Sequence, residues 1–265
     1  MTVQQRHNIN ISGSGKKAIV FAHGFGCDQN MWRHVAPAFE NEYQTVLFDN
    51  IGAGKSDLSS YNFEKYASLD GYASDVTEIV TGLGLERPVF VGHSVSAMVG
   101  LLSQSKTPDI FSALIMVGPS PRYVNDGDYV GGFTVEQIED LLSALEDNHL
   151  GWSTTMAPVI MANADRAELG EELSASFCRT DPAIASHFAR VTFTSDHRDA
   201  LGPVSAPTLI LQCSDDVIAP NSVGEYMHRQ MPGSTLVVMK ATGHCPNLSA
   251  PEETINAIRS FLNNG

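Results

Sequence analysis

Short apolar runs recur along the chain at residues 18–22, 45–48, 89–91, 113–117, 208–211 and 236–239. Each is apolar at consecutive positions and rich in β-branched or aromatic residues. That is the pattern of strands buried on both faces, in a parallel sheet with helices on either side. Residues 5–11 predict a further, antiparallel edge strand. Helical periodicity fills the intervals. Tyr72, Val76, Ile79, Val80 and Leu83 share one face, and Gly84 is placed to stop that helix. Ile255, Ile258, Phe261 and Leu262 line the last helix, with Ser249 and Glu252 spaced as a capping box and Pro251 in its first turn. Alternation of strand and helix predicts an α/β fold with functional loops at the carboxyl ends of the strands.

One stretch breaks the alternation. Residues 119–203 contain no good strand. Thr134 and Gln137 form a capping box before Ile138, Leu141, Leu142 and Leu145. Trp152 and Met156 belong to a further helical segment, and Leu169, Leu173 and Phe177 share another face. Asp181-Pro182 opens a helix containing Ile184, Phe188 and Val191. The strand pattern then resumes, which predicts a helical cap at 119–203 inserted into a core made of 1–118 and 204–265.

Composition narrows the function. The 265 residues carry 16 basic and 30 acidic side chains, a formal charge of −14. Such a surface repels phosphate, which argues against nucleic acid and anionic membrane as partners. Cys27, Cys178, Cys213 and Cys245 are scattered, without the spacing of a disulfide framework or zinc site. No apolar stretch reaches the ~18 residues of a membrane span, and the first residues lack the apolar run of a signal peptide. The expectation is a soluble, cytoplasmic protein with no metal or organic cofactor.

The strongest chemical signal is Gly92-x-Ser94-x-Ser96, which joins a buried strand to a helix of small and apolar residues. This strand–turn–helix context is that of a nucleophile elbow, where a tight turn projects the serine hydroxyl from the sheet. The last position is usually Gly; Ser96 is small enough to stand there. Read alone, the pentapeptide also fits a loop serine in a tight turn. A nucleophilic serine needs a base, and of nine histidines His244 lies just after the last strand and before the final helix. His93, beside the serine, points away on the turn. An acid must orient the base: Asp215 and Asp216 both follow the strand at 208–211, and we select Asp216, keeping Asp215 as the alternative. The chain order Ser, Asp, His is that of α/β hydrolases. Oxyanion donors are expected from the N–H of Val95 and from His23-Gly24-Phe25-Gly26, at Phe25. The segment Asp49-Asn-Ile-Gly-Ala-Gly-Lys55 contains G-x-G-K without the full phosphate-loop spacing and is read as an ordinary loop.

Ala22-His-Gly-Phe-Gly-Cys-Asp-Gln29, Val91-Gly-His-Ser-Val-Ser-Ala-Met98, Ser120-Pro-Arg-Tyr-Val-Asn-Asp126 and Gly131-Gly-Phe133 carry a family resemblance. The chain resembles, over most of its length, the α/β-hydrolase group that includes RsbQ, a bacterial sigma-B stress-pathway regulator, and the plant receptors for strigolactones and karrikins. Leu211-Gln-Cys-Ser-Asp-Asp-Val-Ile-Ala-Pro220 and Gly243-His-Cys-Pro246 are most similar to the bacterial branch, Ser96 to the plant receptors. The resemblance implies an α/β-hydrolase fold with a mostly parallel, eight-stranded sheet, helices on both faces and a four-helix cap. It also implies a small hydrophobic cavity over Ser94, Asp216 and His244, and a slow hydrolase linked to signalling. Phe25 and Val95 match the oxyanion hole; Phe133, Trp152 and Phe193 match pocket positions, where packing within the cap is the competing explanation.

Two functions follow as expectations. One is an esterase or lactonase for a small hydrophobic ester or lactone. The other is a ligand-sensing signalling protein whose cap is read by a partner such as a sensory-domain phosphatase. Dehalogenase and epoxide-hydrolase chemistry would need an aspartate where Ser94 stands.

Overall fold

A computed structural model describes residues 1–264 except Pro203 and Ser205. Among these residues the sheet has seven strands: β1 (Asn10–Ser12), β2 (Lys17–Ala22), β3 (Tyr43–Phe48), β4 (Val89–His93), β5 (Ala113–Val117), β6 (Thr208–Asp215) and β7 (Thr235–Thr242). Their spatial order is β1-β3-β2-β4-β5-β6-β7. All pairs are parallel except β1 with β3. The expected α/β-hydrolase architecture is therefore present with one strand fewer than the eight anticipated. The antiparallel edge strand expected near the amino terminus forms as β1, but later and shorter than expected. Thr2 and Gln5 cap each other reciprocally and wind Val3–Arg6 into a short helix, α1, so the edge strand β1 keeps only Asn10 and Ile11 of the expected 5–11 and runs on to Ser12.

Helices α2 (Leu69–Gly82), α3 (Val95–Lys106), α8 (Asn221–Gln230), the short α9 (Pro246–Ser249) and α10 (Pro251–Asn264) connect or follow the strands, while α4 (Val135–Asp147), α5 (His149–Met161), α6 (Ala167–Cys178) and α7 (Pro182–Phe193) lie between β5 and β6. These four are the helices read in the segment 119–203, which we term the cap; its far limit, Pro203, lies outside the described residues. The capping box at Thr134 and Gln137 forms, and Asp181 accepts from the N–H groups of Ala183 and Ile184 ahead of Pro182. The box expected at Ser249 and Glu252 does not. Ser249 ends α9, its hydroxyl is buried without a hydrogen-bond partner, and the neighbouring Glu253 instead accepts from the N–H groups of Lys240 and Ala241 on β7.

Strand alternation divides the core. Ile19, Phe21, Val91, Ile115 and Leu211 face one side, whereas Val20, Phe90, Leu114, Met116 and Ile210 face the other with the apolar side of α2. The first cluster continues without a break into the cap through Ile138, Trp152, Leu173, Phe177 and Phe193. Cap and sheet thus bury one another's apolar surface rather than each closing a core of its own. No helix among the described residues is long and apolar enough to cross a membrane.

Candidate active site

The strand β4 ends at His93 and α3 begins at Val95, so Ser94 alone must reverse the chain. It does so at φ 54°, ψ −124°, a conformation an L-residue occupies only under constraint. Its N–H donates to the Val117 carbonyl at 2.8 Å, which pins the turn to β5. A Cβ on Gly92 would stand 2.4 Å from the Ser96 carbonyl oxygen and 2.6 Å from the Ala97 nitrogen, so only glycine fits beneath the turn. At the other motif position the hydroxyl of Ser96 has a job that glycine could not perform. It donates to the His23 carbonyl at 2.5 Å and accepts from the Asn50 amide at 3.3 Å, tying the elbow to the loop after β2.

Three side chains from three strand ends meet here. The Ser94 Oγ lies 2.7 Å from His244 Nε2, and His244 Nδ1 lies 2.7 Å from Asp216 Oδ2. All three residues are buried. A β-bulge between Cys213 and Asp215 alters the register of β6 against β7, and Asp215 stays in the sheet, its carbonyl accepting from Gly243. Asp215 therefore keeps its carboxylate exposed. Asp216, one residue on, turns inward, and its second oxygen accepts from the N–H groups of Ile218 (2.8 Å) and Ala219 (3.1 Å). Burial alone would raise the pKa of this carboxyl; His244 and the two backbone donors outweigh burial and hold it below the ordinary carboxylate value. An ionised Asp216 fixes the proton of His244 on Nδ1 and leaves Nε2 as an acceptor toward the serine.

The other histidines near the elbow have structural partners. The Asn50 N–H donates to His23 Nε2 at 3.0 Å, so His23 donates from Nδ1 to the Gly24 carbonyl. His93 Nε2 donates to the His244 carbonyl at 2.7 Å. Burial, reinforced by the neighbouring His244, lowers the His93 pKa to about 3 and keeps its ring neutral. Asp49 explains the loop that contains Gly52, Gly54 and Lys55. Its buried carboxylate accepts from the Asn8 amide and from the N–H groups of Gln29 and Lys55, so the protein's own anion occupies the turn.

A cavity of about 30 Å³ lies over the serine, room for about one water. Trp152 and Phe193 line it; Phe133 does not. Phe133 instead bridges to Val124 in the segment between β5 and α4, half-buried against the core. Sequence reasoning missed Tyr123, Ile160, Phe177 and Ile218 among the lining residues. Phe177 shares a helical face with Leu173 in the sequence, and that shared face is the signal that both side chains point to one surface. Phe25 is the aromatic centre of the cavity, its ring 5.8–6.3 Å from those of Trp152, Phe177, Phe188 and Phe193. Cys27 and Cys245 also line the space, but burial pushes both thiols up, Cys27 to about 12, so neither is a thiolate able to compete with the serine. Val95 opens α3, so its N–H has no carbonyl to bond within the helix, and Phe25 sits between Gly24 and Gly26, the latter at φ +67°. The arrangement can deprotonate the Ser94 hydroxyl at the floor of a largely apolar chamber.

Known proteins show the same whole-chain pattern. Residues 19–257 match the alpha/beta hydrolase family. The chain is 39% identical to the karrikin insensitive 2 receptor CA of Petunia hybrida, with 96% of this chain and 94% of that one covered. It is also 39% identical to a strigolactone esterase of Arabidopsis thaliana, with 96% of each covered. Among solved structures, a hydrolase from Oleispira antarctica superposes with a TM-score of 0.96 at 41% identity, over 99% of this chain and 97% of that one. Matched along the sheet, the elbow and the cap alike, the chain belongs to the alpha/beta hydrolase family.

Proposed function

We propose that this protein is a serine hydrolase that cleaves a small, hydrophobic ester or lactone, with Ser94 as nucleophile, His244 as base and Asp216 as the acid that orients it. The observation that carries the reading is the continuous hydrogen-bonded chain from Ser94 Oγ through the His244 ring to Asp216. His244 Nε2 takes the proton as Ser94 Oγ attacks the carbonyl carbon. The N–H groups of Phe25 and Val95 hold the oxyanion, the protonated His244 returns its proton to the leaving oxygen, and water releases the acyl group by the same steps. Trp152, Phe193 and the ring of Phe25 select apolar substrates, since the chamber carries no fixed cation among its described lining residues. The chamber is narrow, so substrate entry calls for movement of the cap or its aromatic side chains, in keeping with the slow hydrolase that the family resemblance implies. The relatives named as a strigolactone esterase and a karrikin receptor support an ester or lactone substrate. The four cysteines are all free thiols, which supports a reducing, cytoplasmic setting.

The tightness of the same chamber favours a second reading, in which ligand binding and cap movement are sensed by a protein partner and hydrolysis is secondary. A receptor is among the relatives, and the motif resemblance to the bacterial stress regulator points to a sensory-domain phosphatase as that partner. The test is hydrolysis of short p-nitrophenyl esters and synthetic butenolides by the parent and by Ser94→Ala, with intact-mass detection of adducts. Ser94-dependent multiple turnover supports the enzyme. Near-single-turnover cleavage of butenolides with a retained adduct supports the sensor. Full activity in Ser94→Ala refutes both mechanisms.

A further inference from the structure

The base of the triad is held from the cap side as well as from the sheet. The His244 N–H donates to the Ile160 carbonyl, in the last turn of α5, at 2.9 Å. Directly beside it, a Cβ on Gly243 would lie 2.0 Å from the Met161 carbonyl oxygen, so the two backbones are in van der Waals contact through the missing side chain. After Met161 the chain does not simply continue. Ala162 sits at φ 52°, ψ −143° and Asn163 at φ 56°, two successive non-glycine residues in the left-handed region, where strain of about 1–3 kcal/mol per residue is usual. Strain of this kind persists only when surrounding contacts hold it.

Those contacts come from Asn163 and Arg166. Asn163 Nδ2 donates to the Met161 carbonyl at 2.9 Å and, across to the end of β7, to the Thr242 carbonyl at 3.1 Å. Asn163 Oδ1 accepts from Arg166 Nη2, and Arg166 Nη1 donates to the Ser249 carbonyl at 2.7 Å. A single turn, residues 160–166, thereby grips both ends of residues 242–249, the loop that delivers His244. Neither Asn163 nor Arg166 reaches the cavity over the serine.

We propose that Asn163, braced by Arg166, is a positioning residue for the base: it locks the α5–α6 turn onto the His244 loop, so that the ring is aligned only while the cap is seated. The inference rests on the hydrolase reading of the site. Its chemistry is that of orientation. A displacement of the base by about 1 Å, far from any substrate contact, is enough to cost about 10²-fold in rate, while substrate binding to the aromatic chamber is unaffected.

The experiment compares the parent with Asn163→Asp, Asn163→Gly and Arg166→Lys. Asp keeps the shape, the tolerance of positive φ and the contact to Arg166, but sets carboxylate oxygens against two carbonyls. Gly relaxes the backbone and removes the tie. Lys keeps the charge and cannot bridge Asn163 and Ser249 as the guanidinium fork does. Two quantities are read: kcat and KM on a p-nitrophenyl ester, and the far-downfield proton NMR line of His244 Nδ1–H in its bond to Asp216. The expected result is a fall of about 10- to 100-fold in kcat with KM within twofold, and a broadened or shifted line, in both Asn163 variants, with a smaller change in Arg166→Lys. Unchanged kcat and an unchanged line in the folded variants overturn the proposal. If the two Asn163 variants fail to fold, Arg166→Lys, which leaves the strained backbone intact, decides it on the same readouts. A parent that cleaves no ester, with a line that still changes in the variants, keeps the positioning role and removes the hydrolase reading.

Discussion

Ser94→Gly should produce a protein that is catalytically dead and yet more stable than Ser94→Ala. Both substitutions delete the hydroxyl and so lose the same 2.7 Å hydrogen bond to His244. They differ in the Cβ, which is what makes φ 54°, ψ −124° costly at this position. Holding a non-glycine residue there costs about 1–3 kcal/mol. Glycine relieves that strain but gives back about 0.5–1 kcal/mol in backbone entropy. The difference leaves the Gly variant ahead by about 1 kcal/mol, which in a chain of this size is about 2 °C in Tm. The bond from Ser94 N–H to the Val117 carbonyl survives in both, so the turn itself is kept. Thermal unfolding of parent, Ala and Gly variants by calorimetry at one pH supplies the comparison, with turnover of a p-nitrophenyl ester measured on the same samples. Turnover should fall about 10³-fold or more in each. A Gly variant that melts at or below the Ala variant would refute the claim that the elbow stores strain.

Asp216→Asn should lower kcat by about 10⁴-fold with little loss of stability, because the amide keeps the shape but no longer fixes the His244 tautomer; steady-state kinetics that place the variant within tenfold of the parent would contradict the assigned role. Acid should destabilise the fold through His93. Its folded pKa of about 3 lies below its ordinary 6.5, so the unfolded chain binds the extra proton; the contribution is complete above pH 6.5 and is lost as pH falls toward 3, at up to about 1.4 kcal/mol per pH unit. Urea unfolding at several pH values should therefore show a shallower acid loss for His93→Gln, which can still donate to the His244 carbonyl but takes up no proton; parallel curves would count against this account.

How much of this was written in the chain depends on the range of the interaction. Strand and helix identities are local properties. The runs at 89–91 and 113–117 read as doubly buried strands because every residue in them is apolar, and Thr134, Gln137 and Asp181 mark helix starts because a capping side chain needs only its own backbone. The strand–turn–helix setting of Ser94 is equally local. Where the outcome depended on competition between partners, local pattern failed. Ser249 and Glu252 have the spacing of a capping box, but Glu253 accepts from β7 and Ser249 closes a different helix. The amino-terminal residues could extend as a strand or coil as a helix, and the coil confined the edge strand to Asn10–Ser12.

The sequence by itself determined the class of fold, the order of its elements and a short set of reactive side chains, because periodicity, capping and turn chemistry act over a few residues. Only the tertiary structure decided which of Asp215 and Asp216 faces His244, since a β-bulge against another strand makes that choice. It alone brought Phe25, Trp152, Phe177 and Phe193 around one small cavity while leaving Phe133 outside, and set the cap turn at Asn163 on the loop of the base. Those contacts join residues up to about 170 positions apart, as Phe25 and Phe193 are, and a side chain carries no mark of which distant group it will meet until the sheet has brought the two together.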